Sequence, residues 1–225
     1  MVSLNVPIPP SIDRLAADLH PKLAGFDTVR SQHTLVCKRF GVDDLASARG
    51  VGTSRAGSAE SEPSVTHNGP AKSAAITALQ RDLQGVLSGT VPFTVAVTGV
   101  DSFPSPASGS GPVVYLVVES DELMRLHRRL CAAYNPISGI EGDEYVPHIT
   151  LARGKTGDEA RGTERSHERE TERSHERGTE RTREPDSIEQ LHRVEFDPIR
   201  WRVHALDLYD PEAGDERAVA ATIEL

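Results

Sequence analysis

The sequence is poor in cysteine and has no long apolar run. Of its 225 residues only Cys37 and Cys131 are cysteines. Two cysteines so far apart form neither a short-spaced metal knuckle nor the disulfide framework of a small secreted protein, so two buried thiols are expected. No apolar stretch reaches the ~20 residues that a transmembrane helix needs. The first residues, MVSLNVPIPPS, lack the basic start and apolar core of a signal peptide, so a soluble cytoplasmic protein is expected.

Lysine is also scarce, and acidic residues outnumber basic ones. Lysine occurs only at Lys22, Lys38, Lys72 and Lys155, and the net charge is -9 with a pI near 5.5. This balance argues against a wide basic face that grips long nucleic acid, but it leaves room for a small pocket that binds one phosphate. An acidic, lysine-poor surface is typical of a salt-adapted, halophilic cytoplasm. A GC-rich genome, which favours arginine codons, is the alternative explanation.

Strand patterns and helix patterns alternate along the chain, and two polar stretches interrupt them. The elements follow in the order β-α-β, α-β-β, α-β and β-β, which predicts one α+β domain over residues 1–225 with antiparallel pairing. The stretch PIRWRVHALDLYD, residues 198–210, is predicted as one strand. Residues 44–70 are small, polar and glycine-rich, which predicts a disordered insertion. Residues 154–186 contain the charged repeat TERSHERE without an apolar face, which predicts a disordered or solvated helical insertion.

The stretch YVPHITLARG, residues 145–154, combines a strand pattern with polar side chains. Because side chains alternate between the two faces of a strand, His148 and Thr150 are predicted on one face, and Ile149 and Arg153 on the other. A titratable ring and a hydroxyl then stand about 7 Å apart along one face. The simpler explanation, a half-exposed strand with ordinary polar residues, stays open on this pattern alone.

A second histidine stands near the start of an earlier strand pattern, RSQHTLVCKRF, residues 30–40. His33 has the same rank in the first half of the chain as His148 in the second. Two histidines that converge across a cleft can act as general base and general acid on one phosphate without a metal. Alternation puts Arg39 on the face of His33 and Thr34 on the opposite face, unless a β-bulge re-aims Thr34.

These motifs resemble those of the 2H phosphoesterase superfamily, which includes 2'-5' RNA ligase-like proteins and RNA 2',3'-cyclic phosphodiesterases. That family carries, once in each of two lobes, a histidine, any residue, a threonine or serine, and an apolar residue. HITL, residues 148–151, matches fully, and Tyr145 and Pro147 before it also look like the family's second motif. The resemblance covers roughly residues 4–225 without the two insertions. It implies a bilobal α+β fold in which two pseudo-symmetric antiparallel sheets with outer helices flank a central cleft.

The first motif departs from the family pattern. Thr34 follows His33 directly, and Leu35 occupies the place of the phosphate-binding hydroxyl. Either this lobe lacks one phosphate ligand, or another group such as Arg39 or Ser31 replaces it. The departure leaves the implied fold untouched and concerns the strength of catalysis.

The resemblance implies a metal-independent phosphodiesterase without a cofactor, acting on 2',3'-cyclic phosphates or 2'-5' phosphodiesters of nucleotides or RNA ends. His33 and His148 would share the roles of general base and general acid, which gives a bell-shaped pH profile. Thr150 would bind a nonbridging phosphate oxygen. The same chemistry run backwards makes a 2'-5' RNA ligase. A catalytically weak protein that binds a nucleotide or an RNA end is the other alternative.

Further residues are predicted near the phosphate. Arg39 and Thr34 are expected to bind it, and Tyr145, Arg153 and Lys38 are candidates for the rim of the cleft. The expected partners are RNA ends or nucleotides, with neither a membrane nor an extended nucleic-acid face, and the protein is expected to be a monomer. A metal-dependent hydrolase is disfavoured because the sequence has no closely spaced set of His, Asp and Glu ligands.

Overall fold

The computed structural model describes residues 1–47, 70–154, 187–213 and 219–225. In these ranges helices and strands alternate much as the sequence patterns predict. The helices are α1 (Pro10–Leu19), α2 (Val42–Ser47), α3 (Pro70–Leu87), α4 (Asp121–Ala133) and α5 (Ser187–His192). The strands are β1 (Val2–Val6), β2 (Thr28–Val29), β3 (Leu35–Phe40), β4 (Phe93–Phe103), β5 (Val113–Glu119), β6 (His148–Arg153), β7 (Ile199–Val203), β8 (Ala205–Tyr209) and β9 (Val219–Glu224).

The strands form one curled antiparallel sheet in the order β7-β4-β5-β6-β3-β1-β8-β9, and β2 pairs with β6. Two β-α-β units make its centre: β1-α1-β3 in the first half and β5-α4-β6 in the second. In each unit the two strands pair antiparallel. The units meet where Leu35 of β3 lies opposite Ile149 of β6. This arrangement confirms the expected α+β fold with two pseudo-symmetric lobes.

The two central helices form because their sequences provide helical starts and an apolar face. Pro10 begins α1 with a φ suited to a first turn, and apolar residues at helical spacing on this helix are buried. At the start of α4 the Ser120 hydroxyl accepts a hydrogen bond from the Leu123 amide at 3.3 Å. Asp121 and Glu122 lie in the first turn, where their negative charges interact favourably with the helix dipole. Both helices therefore pack on the sheet with a defined face.

The core lies between the sheet and the helices. Leu35 and Ile149, the pair that joins the two halves, are completely buried in one cluster with Ile12 of α1 and Leu130 of α4. Since neighbouring side chains in a strand face opposite ways, the residues beside Leu35 and Ile149 point to the other face of the sheet. That face carries the candidate site.

Two sequence-based predictions differ from the structure or lie partly beyond it. The single strand predicted over 198–210 is divided at His204 into β7, which pairs with β4, and β8, which pairs with β1. The chain therefore passes from one lobe to the other at this residue. The predicted insertion 44–70 begins inside α2, which ends at Ser47, and the rest of it up to the start of α3 lies outside the described residues, as do residues 155–186. No helix in the described ranges is long and apolar enough to cross a membrane.

Candidate active site

A cavity of about 330 Å³ opens where β3 and β6 meet. Its floor comes from these two strands, and its walls come from the connection between β4 and β5 and from the segment that precedes β6. Six of the side chains predicted from the sequence line it: Thr34, Arg39, Tyr145, His148, Thr150 and Arg153. Two predicted side chains, those of His33 and Lys38, are not among its lining residues.

His148 is the first residue of β6, and its ring is fixed on the cavity wall. Its Nδ1 lies 2.8 Å from the Val146 carbonyl oxygen, which can only accept, so Nδ1 carries the proton and the neutral ring presents Nε2 as an acceptor. The rings of Phe103 and Tyr115 pack edge-on against the His148 ring, with ring centroids 5.2 and 5.3 Å apart. Burial, followed by the positive charges of two nearby arginines, lowers the pKa of His148 below its ordinary value. The ring is therefore a base at neutral pH.

A β-bulge in β6 brings Arg153 to the same side as His148. Thr150 lies opposite Tyr115, but Ala152 lies opposite Val114, so Leu151 is an extra residue without a partner on β5. The extra residue reverses the alternation, and Arg153 lines the cavity together with Thr150. The strict alternation expected from the sequence put Arg153 on the opposite face, and this was wrong because an inserted residue leaves no signature in a four-residue motif.

The first half of the chain has a β-bulge at the corresponding place in β3. Val36 lies opposite Asn5 of β1, but Lys38 lies opposite Leu4, so Cys37 is the extra residue. The alternation reverses here too, and Thr34 and Arg39 both line the cavity although five positions separate them. The prediction that Arg39 shares the face of His33 was wrong for this reason. A bulge was the expected way to bring Thr34 into the site, but it acts on Arg39 instead.

His33 lies outside the cavity, before the first residue of β3. Its side chain is only 8% exposed, and its Nδ1 lies 3.3 Å from Oδ1 of Asp13 on α1. The ring therefore packs toward the helix that covers the sheet rather than toward His148. Of the two histidines that the sequence suggested as a catalytic pair, only His148 lines the cavity.

Two arginines bring positive charge to the cavity. Arg153 donates from Nη1 to the Ser108 carbonyl at 3.1 Å, and its buried Nε has no hydrogen-bond partner among the described residues. Burial, together with the charges of Arg30 and Arg39, lowers the pKa of Arg153. In the described ranges neither Arg39 nor Arg153 forms an ion pair. A partly desolvated guanidinium with unused donors is a favourable site for an anion such as a phosphate.

Lys38 has a structural position instead of the predicted place on the rim. It is completely buried, and its Nζ lies 2.8 Å from Oε2 of Glu141 and 3.1 Å from the carbonyl oxygen of Asn135. The other oxygen of Glu141 accepts a hydrogen bond from the Arg39 amide at 2.7 Å. A buried ammonium needs an opposite charge beside it. The partner of Lys38 lies 103 residues away in the chain, so the local sequence pattern could not reveal the burial and wrongly suggested the rim. The pair fastens the segment before β6 to β3.

Tyr145 forms part of the wall and is not a free platform for a base. It is 6% exposed, its ring stacks on His127 with centroids 3.7 Å apart, and its hydroxyl donates to the Val36 carbonyl at 2.8 Å. Burial raises the pKa of this hydroxyl well above its ordinary value. His127 is itself buried, accepts from the Gly142 amide at Nε2 and faces the Cys37 carbonyl with Nδ1. Tyr145 and His127 therefore support the cavity from behind.

Among the lining residues that sequence reasoning missed, Phe103 adds an aromatic ring and Glu144 adds a carboxylate. Phe103 ends β4 and stacks on Tyr115 with ring centroids 4.2 Å apart, which gives the cavity an aromatic wall beside His148. Glu144 accepts a hydrogen bond from the Gly139 amide at 2.7 Å and adds one carboxylate to a site that is otherwise positive. Neither residue belongs to a sequence motif, so only the packing of the segments around β6 reveals that they line the cavity.

Comparisons with known proteins agree with the motif at His148. Residues 56–215 match the family model described as the 2'-5' RNA ligase superfamily. No curated protein matches the chain. Among solved structures, the crystal structure of TT0787 of Thermus thermophilus is similar, with a TM-score of 0.46 and 14% sequence identity over 100% of this chain and 97% of that one. Within the part of the chain that the structure describes, no three His, Cys, Asp or Glu side chains are grouped so as to hold a metal ion.

Proposed function

Because the chain belongs to the 2'-5' RNA ligase superfamily, with the phosphoesterase-type activity that this membership supports, we propose that it hydrolyses 2',3'-cyclic phosphates or 2'-5' phosphodiesters of nucleotides or RNA ends in this cavity. One observation carries the proposal. A neutral histidine, two threonines and two arginines line a single cavity, and neither arginine forms an ion pair within the described residues: His148, Thr34, Thr150, Arg39 and Arg153.

Binding of the phosphate is assigned to the two arginines and the two threonines. Arg39 and Arg153 reach the cavity from opposite sides of the β3–β6 junction, so they can neutralise both nonbridging oxygens of a phosphodiester. The hydroxyls of Thr34 and Thr150 donate to the same oxygens, whose charge increases in the transition state. An acidic protein then needs no wide basic face, because the positive charge is concentrated at the bound phosphate.

Proton transfer is assigned to His148. Its Nε2 takes a proton from the water that attacks phosphorus, while the Val146 carbonyl holds the opposite ring nitrogen in the protonated form. In the ligation direction the 5'-hydroxyl of an RNA end replaces this water. In hydrolysis the bond from phosphorus to the leaving ribose oxygen breaks as the water adds, and that oxygen takes its proton from solvent water. His33 would have to leave Asp13 to supply this proton instead.

The test is hydrolysis of a 2',3'-cyclic nucleotide and of a 2'-5' linked dinucleotide, with a chelator present, at low and high salt. His148→Ala is expected to reduce kcat by about 10²- to 10⁴-fold, the usual contribution of a general base. His204→Ala is the matched control, because His204 is exposed and contributes its backbone carbonyl to a bond with Leu225. Hydrolysis that is unchanged by His148→Ala, or that the chelator abolishes, would contradict the proposal.

A second candidate is a protein that binds the same phosphate with little turnover. It is favoured by one observation: the cavity takes a histidine from β6, whereas β3 and the residue before it contribute Arg39, Val36 and Thr34. Calorimetric titration with a nucleoside 3'-monophosphate distinguishes the two candidates. Binding without hydrolysis, and without joining of RNA ends that carry a 5'-hydroxyl and a cyclic phosphate, would favour the binding protein.

A further inference from the structure

We propose that Thr34, and not His33, occupies in the first half of the chain the position that His148 occupies in the second. The two corresponding motif positions then hold one histidine between them, and the first half serves to bind the phosphate. This inference rests on the proposed function and concerns how that function is divided between the halves.

The pairing of β3 with β6 sets the register. Leu35 lies opposite Ile149 in an antiparallel pair, and the local two-fold axis through this pair carries one strand onto the other. Axes through neighbouring pairs would change the offset by two, so the pairing allows even offsets and the bulges select among them. Leu35 then corresponds to Ile149, an offset of 114 positions, the difference between 35 and 149. Both side chains are completely buried on the helix side, as this correspondence requires.

The two bulges give the same offset independently. The extra residue is Cys37 in β3, as judged from its pairing with β1, and Leu151 in β6, as judged from its pairing with β5. The difference between 37 and 151 is again 114. These pairings involve different neighbouring strands from the Leu35–Ile149 pair, so the agreement is a second observation and not a restatement of the first.

The arginines agree as well. Arg39 and Arg153 differ by 114 positions, and both line the cavity. Each arginine lies two residues after the extra residue of its bulge, so the same backbone irregularity turns a guanidinium toward the site in each half. The pairing, the bulges and the arginines therefore define one register for the two halves.

In this register Thr34 corresponds to His148 and Val36 to Thr150, and these four residues all line the cavity. His33 corresponds to Pro147, and neither is a lining residue. Matching the halves through their histidines needs an offset of 115, which would disagree with the pairing, the bulges and the arginines alike. The histidine of the first half is thus one residue away from the position that faces the phosphate.

The chemical consequence follows from the side chains. A threonine hydroxyl donates a hydrogen bond to a phosphate oxygen but does not ionise near neutral pH, so it is not a general acid or base, and valine offers neither function. The first half can therefore hold the phosphate through Thr34 and Arg39, and of the four corresponding motif positions only the one with His148 carries a group that can act as base or acid. Strong binding with slow turnover is expected.

The experiment places a histidine at position 34. Thr34 is exposed, so Thr34→His meets little steric resistance. It is expected to raise kcat on a 2',3'-cyclic nucleotide by at least about tenfold, which is less than the 10²- to 10⁴-fold of an optimally placed general acid. The pH profile, with a single limb in the parent protein, should gain a second limb. Thr34→Gln is the matched control, because it offers a polar group of similar size without proton transfer and should show no gain. His33→Ala should leave kcat unchanged.

A second readout does not depend on turnover. In a titration with inorganic phosphate followed by NMR of the histidine rings, the signals of His148 should shift and those of His33 should not. Loss of turnover in His33→Ala with calorimetric binding of a nucleoside 3'-monophosphate retained would overturn the inference, as would a folded, binding-competent Thr34→His without gain. A parent protein that binds no phosphoester at all would instead disprove the proposed function, on which the inference rests.

Discussion

The two halves of this protein share a backbone plan and differ in what they present to the cavity. Each half runs strand, helix, strand, and each inner strand, β3 or β6, has a bulge two residues before an arginine. The second half adds His148 and Thr150, whereas the first adds Thr34 and Val36. Strand pairing and bulges thus determine which positions face the cavity, whereas the catalytic chemistry depends on which residue types occupy those positions.

The halves also differ behind the cavity, and the largest expected effect concerns this difference. In the common register Lys38 corresponds to Ala152, and both are completely buried. Changing Lys38→Ala makes the first half resemble the second but leaves the Glu141 carboxylate without its partner. Removal of one member of a buried ion pair typically costs about 3–5 kcal/mol, so a loss of that size in the free energy of unfolding is expected from urea denaturation at about neutral pH.

The double variant Lys38→Met with Glu141→Leu is the control for this prediction. It removes both charges and should be less destabilised than Lys38→Ala, because no charge is left buried and unpaired. A Lys38→Ala protein that loses less than about 1 kcal/mol would mean that the ion pair does not hold the segment before β6 against β3.

The arginines test whether the halves bind the phosphate equally. Arg39→Gln and Arg153→Gln should each weaken the binding of a nucleoside 3'-monophosphate by about tenfold or more, since hydrogen bonds to a charged group contribute about 1.5–3 kcal/mol. Arg125→Gln is the control, because that side chain is 68% exposed on α4 near Glu122. Calorimetry at low and high salt measures the effect. If only one of the two cavity arginines mattered, the equivalence of the halves at the phosphate would be lost.

The sequence was sufficient for the fold class and for one half of the site, for reasons visible in particular residues. In HITL the apolar residues alternate with His148 and Thr150, and the structure keeps that alternation up to Thr150. The bulges at Cys37 and Leu151 could not be predicted, because each depends on how a neighbouring strand pairs and not on its own residues. The positions of Arg39 and Arg153 relative to the motifs follow from those bulges.

The first motif shows the same limit more sharply. A histidine near the start of a strand pattern suggested a partner for His148, but only the pairing of Leu35 with Ile149 reveals a shift of one residue that moves Thr34 into the cavity. Lys38 illustrates a long-range limit, since its burial depends on Glu141 from the other half. Local patterns thus locate strands and motifs, whereas register and buried charge pairs depend on contacts between distant parts of the chain.

The smallest expected effect is a dependence of stability on pH that originates in the second half. Burial is the first cause that lowers the pKa of both His127 and His148. For His127 the neutral form is also required by its contacts, because Nε2 accepts from the Gly142 amide at 2.9 Å and a protonated Nε2 could not. Below the ordinary histidine pKa of about 6.5 the unfolded chain binds protons that the folded chain resists, so the free energy of unfolding falls as the pH decreases.

Urea midpoints measured between about pH 8 and about pH 5 should therefore decrease on the acidic side, and the decrease should stop below the lowered pKa values of the folded protein. His148→Gln and His127→Gln should each reduce the slope. The exposed Glu212 does not interfere, because Lys72 and the amino terminus lower its pKa from 4.5 to about 2, and its contribution is lost only at more acidic pH. Midpoints that stay constant over this whole range would mean that these rings are not held neutral. The contrast between a neutral histidine in one half and a hydroxyl in the other would then lose its electrostatic basis.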